Sequence, residues 1–105
     1  MGRTMIHRQI AEHKTELDDT IMAGTINLVY DHSVRGLKEK LTHLQHHHPN
    51  LVRSTLHIHI DHDNCLEVKV IRGRADEVRG FADEMISMKG IKYGTLVRAT
   101  AGGDL

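Results

Sequence analysis

Leu56-His57-Ile58-His59-Ile60-Asp61-His62-Asp63-Asn64-Cys65 decides how this chain folds. Apolar and polar residues alternate here at the strand period of two. Leu56, Ile58 and Ile60 therefore point one way, and His57 and His59 point the other. The alternation pauses at a tight turn around His62-Asp63-Asn64. It resumes over residues 65 to 72, where Leu66, Val68 and Val70 form the apolar set and Gly73 ends the run. Two such runs joined by a turn predict an antiparallel hairpin.

The rest of the chain is arranged about that hairpin. Upstream, residues 33 to 48 carry Val34, Leu37, Leu41 and Leu44 at helical spacing, and Pro49 and Asn50 stop the helix. Before it, residues 24 to 30 read as a strand with Ile26, Leu28 and Tyr30 on one face. Downstream, residues 75 to 88 read as a helix with Val78, Phe81, Ala82 and Met85 on one side and Gly90 as its stop. A last strand covers residues 91 to 100. The order β-α-β-β-α-β predicts an α+β, ferredoxin-like fold, with a four-stranded antiparallel sheet and both helices on one face. Residues 4 to 17 are expected as a weak helix that leads into a linker, and residues 101 to 105 as a flexible tail.

Taking Leu66, Val68 and Val70 as core places Thr25, Asn27, Val29, His57, His59, Cys65, Glu67 and Lys69 on the face the helices leave uncovered. Such a face is wet or an oligomer interface. Opposing the apolar residues pairs Ile60 with Leu66 and Ile58 with Val68. It also sets Asp61 opposite Cys65 and His59 opposite Glu67. Glu67 and Lys69 then read as a surface pair of little weight.

Composition narrows the function. A chain of 105 residues is one small domain, and its charges balance to zero with histidine neutral. A neutral domain is a poor non-specific binder of nucleic acid. A single cysteine among 105 residues leaves no intramolecular disulfide and suits a reducing compartment, so a cytoplasmic protein is expected. There is no apolar run long enough to span a membrane, and no partnership with one is expected.

Ten histidines are many for this length. His57 and His59 lie about 7 Å apart along one strand face, close enough to share a metal. Cys65 joins them on that face. Two imidazoles and a thiolate are donors for zinc, copper or nickel and not for magnesium or calcium. On a helical wheel Leu37, Leu41, Leu44 and His48 share a stripe, whereas His46 falls opposite and points away from its own sheet. A partner subunit is its natural target. The bland reading of residues 45 to 48 is a solvated helix end, where partly protonated imidazoles favour the C-terminal dipole. His7, His13, His32 and His43 are given no role.

Residues 24 to 32 (GTINLVYDH), 44 to 48 (LQHHH), 55 to 67 (TLHIHIDHDNCLE) and 89 to 94 (KGIKYG) resemble the metal-binding domain of the nickel-responsive transcriptional regulators, NikR. The resemblance covers about residues 22 to 100. It implies an ACT-like variant of the ferredoxin-like fold, a homotetramer through the uncovered sheet face, and Ni2+ bound in a square plane between subunits. The implied ligands are His57, His59 and Cys65 of one subunit and His46 of a neighbour, with Gln45 and Glu67 hydrogen-bonded behind them. Four protein ligands fill a square plane, so no enzymatic role is expected. Low-spin Ni(II) favours that geometry and zinc a tetrahedron, while Cu2+ and Zn2+ remain competitors.

The resemblance further implies a repressor of nickel uptake. Regulators of this kind begin with a ribbon-helix-helix DNA-binding domain. Residues 1 to 21 resemble only the end of its last helix and the linker, so DNA is expected as a partner only when that domain is present. The alternative is a stand-alone nickel-binding protein for storage or trafficking.

Overall fold

The computed structural model describes residues 19 to 100. The expected helix at residues 4 to 17 and the tail at residues 101 to 105 lie outside them. The elements are β1 (Ile21–Asp31), α1 (Leu37–His46), β2 (Val52–His59), β3 (Asn64–Arg74), α2 (Ala75–Ile86) and β4 (Ile91–Thr100). The strands form one antiparallel sheet in the order β2-β3-β1-β4. Each helix thus crosses from one strand to another two places away, and the fold is ferredoxin-like, as the element order predicts.

The amphipathic stripes explain the packing. Leu37, Leu41 and Leu44 of α1 are buried, as are Val78, Phe81, Ala82 and Met85 of α2. They close over Met22, Ile26, Leu28 and Tyr30 of β1. Gly24 and Gly90 illustrate glycine required by close approach and by backbone angle. At Gly24, beside an irregularity in the β1–β4 pairing, a Cβ would collide with the Val97 carbonyl oxygen. Gly90 has φ +107°, which L side chains rarely adopt, and ends the α2 connection against Leu37 and Val34.

The sheet faces reverse the sequence expectation for the hairpin. Leu28 pairs with Glu67 and Tyr30 with Cys65. Because β1 turns Leu28 and Tyr30 towards the helices, Cys65, Glu67 and Lys69 turn there too, and all three are buried. The predicted core set Leu66, Val68 and Val70 instead faces away from the helices. Leu56 (61% exposed), Ile58 (46%) and Ile60 (54%) join it. Thr25, Asn27 and Val29 do lie on the helix-free face, as expected, but His57, His59, Cys65, Glu67 and Lys69 do not.

Candidate metal centre

β2 is an edge strand and stays exposed along nearly all its length, so His57 and His59 remain accessible although they share the helix side of the sheet. His59 stands directly opposite Cys65, and His57 opposite Glu67. The expected register is therefore corrected: Leu66 pairs with Ile58 and not with Ile60. The turn explains the slip. Asp61 Oδ1 accepts hydrogen bonds from the backbone N–H groups of Asp63 (3.0 Å) and Asn64 (2.8 Å), and Ile60 N–H donates to Asn64 O (2.9 Å). This Asx-type turn occupies Asp61 and fixes where pairing begins. Those hydrogen bonds, first from Asn64, hold the Asp61 carboxyl below the usual carboxylate range.

The slip preserves side-chain parity, so the predicted donors still share one face. The His57 and His59 ring centroids lie 5.6 Å apart. Cys65 is fully buried, and burial pushes its thiol above the usual range, with the Tyr30 hydroxyl pulling the other way. His46 is exposed in the last turn of α1. Among the described residues no three His, Cys, Asp or Glu side chains converge as a metal site would need.

Behind the donors runs a buried polar chain. The Tyr30 hydroxyl donates to Glu67 Oε2 (3.0 Å), Lys69 Nζ lies 3.2 Å from Glu67 Oε1, and Lys69 Nζ also donates to Gln45 Oε1 (3.0 Å). Gln45 and Glu67 are thus joined through Lys69 and sit beside His46 and His57 respectively. The ammonium is close to Glu67 Oε1 but not aligned for a hydrogen bond, and that oxygen has no hydrogen-bond donor among the described residues. Burial is the first cause that drives the Tyr30 phenol far above its usual range, followed by the negative charge of Glu67.

Three contributors were missed in the sequence. Lys69 is a buried link and not half of a surface pair, and Tyr30 is a hydrogen-bond donor as well as core. The His32 ring packs edge-on to His59 at 5.2 Å, and its Nε2 lies 3.1 Å from the His62 carbonyl oxygen. The available signal for Lys69 was its place in the alternation with Cys65 and Glu67. For His32 there was none.

Residues 23 to 99 match the family of NikR C-terminal nickel-binding domains. The chain belongs to that family. A nickel-responsive regulator named from Geobacter sulfurreducens is 50% identical over 103 residues, covering 98% of this chain and 74% of its own. One so named from Pyrococcus furiosus is 42% identical, covering 98% of this chain and 75% of its own. A solved structure, the C-terminal domain of the MgtC protein from Mycobacterium tuberculosis, has a TM-score of 0.58 at 7% identity. It covers 79% of this chain and 93% of that one, a likeness of fold alone. The family match spans every donor described above.

Proposed function

We propose that this chain is the nickel-sensing domain of a nickel-responsive transcriptional regulator, acting in the cytoplasm as a homotetramer. His57, His59 and Cys65 supply three donors, and His46 of a neighbouring copy supplies the fourth. The observation that carries the reading is the placement of His59 opposite Cys65, with the buried, donor-poor Glu67 Oε1 opposite His57. A buried carboxylate oxygen without a donor is costly, and an imidazole N–H satisfies it. Such a bond, donated by His57 once metal is bound, would leave the other ring nitrogen to face the metal.

The donor set fits nickel: imidazoles and a thiolate suit a borderline ion, and bound Ni2+ supplies a charge that favours the thiolate form. Gln45, held by Lys69, orients the turn that carries His46. Coupling to an operator needs a DNA-binding domain in the same polypeptide. Residues 1 to 21 are its trailing linker in this reading, and residues 22 to 100 are the sensor.

The test is a nickel titration followed by absorption spectroscopy and mass measurement. A thiolate-to-nickel charge-transfer band, one metal per chain and a tetrameric mass are expected. His57→Ala and Cys65→Ala should each abolish tight binding in equilibrium dialysis, and unchanged stoichiometry would remove both residues from the site. A monomer holding tetrahedral zinc in preference to nickel would overturn the reading.

A further inference from the structure

The outward face of α1 carries a second pair of imidazoles. His43 and His47 are one helical turn apart, and the turn between them is intact: His47 N–H donates to His43 O at 3.3 Å. Both side chains are exposed, and their ring centroids stand 4.5 Å apart. Neither ring hydrogen-bonds to another described residue. They border an open cleft of about 650 Å3 between the two helices, which Glu39 and Glu84 also line with carboxylates and Lys40 with an ammonium. Glu39 lies one further turn back on the same side of α1.

We infer that His43 and His47 form an accessory chelate for a borderline divalent metal such as nickel, zinc or copper, separate from the centre at His57, His59 and Cys65. Histidines at i and i+4 project from one helix face and can offer cis nitrogens to one ion, the same spacing that metalloprotease helices use. Neutral imidazole suits these metals. Two protein ligands leave the remaining positions to water, so this site fills after the first. The two negative groups outnumber the one positive group lining the cleft, which favours a cation there.

The test is an exhaustive nickel titration of the full chain by calorimetry, in which a tight class of sites and a weaker class are expected. His43→Gln and His47→Gln, made singly at exposed positions, should each weaken the weaker class by about a hundredfold, because the second imidazole binds intramolecularly. Both should leave the tight class intact. Survival of the weaker class in either variant would overturn the chelate. Loss of the tight class in His57→Ala reports on the other centre, so the two readings fail separately. As a second measurement, zinc added to the nickel-loaded chain should shift the imidazole ring signals of His43 and His47 with one shared Kd. Shifts confined to one ring, or to neither, would overturn the pair.

Discussion

Glu67 and Lys69 hold charges at positions the helices cover, with side chains only 10% and 5% exposed. Such burial is tolerated because each charge has more than one neighbour: Tyr30 and Lys69 for the carboxylate, Glu67 and Gln45 for the ammonium. Removing one partner leaves the other charge buried and under-compensated. Lys69→Met should therefore cost about 3 kcal/mol of stability. Urea unfolding checks this, and a loss under about 1 kcal/mol would mean that the pair is effectively solvated. Tyr30→Phe keeps the ring in the core and removes only one donor to Glu67. It should cost less, about 1–2 kcal/mol, by the same measurement.

At the scale of elements, Gly24 marks where β1 and β4 come too close for any side chain. Gly24→Ala drives a methyl into the Val97 carbonyl, and the strands must part. A loss of about 2–3 kcal/mol is expected from thermal unfolding, with the Gly24–Arg98 end of the ladder exchanging its amide protons faster. The element order and both helix stripes were legible in the sequence, because apolar residues at a 3.6 period have one way to be buried. The faces of β3 were not. Its odd positions are Cys65, Glu67 and Lys69, and its even positions are Leu66, Val68 and Val70, so alternation alone assigns the aliphatic set to the core. Pairing with β1 overrides that preference, since Tyr30 and Leu28 fix the inward parity of their neighbours. The polar residues then contact one another through Tyr30, Lys69 and Gln45, with Glu67 Oε1 left as an ion-pair neighbour of the ammonium. The grouping of His57, His59 and Cys65 survived the error because parity is unaffected when a register slips by an even step.

For the molecule as a whole, the buried Cys65 and Tyr30 tie stability to alkaline pH. Both groups are pushed above their usual range by burial first. The folded metal-free chain therefore keeps protons that the unfolded chain releases. Their contribution is complete below the unfolded values and is lost as pH rises towards the folded ones. Stability should begin to fall near pH 8.5, the ordinary thiol value, and more steeply past about pH 10, the ordinary phenol value. Urea midpoints across that range measure it, and Tyr30→Phe should flatten the steeper part.

In the proposed assembly the helix-free face is the contact between copies. Leu56, Ile58, Ile60 and Val70 are all more than two-fifths exposed there, and Tyr93 on β4 is 54% exposed. An exposed apolar face of this kind marks an interaction surface, and in the proposed assembly its partner is a second copy of the chain. Ile58 sits in its middle, paired with Leu66. In one chain its side chain already meets solvent, so Ile58→Lys leaves the monomer's core untouched and far-UV circular dichroism should not change. In a symmetric assembly the substitution recurs on every copy and sets like charges against an apolar surface, which costs several kcal/mol per interface. The mass by light scattering should drop below that of the unsubstituted chain. A variant with unchanged mass would move the interface elsewhere.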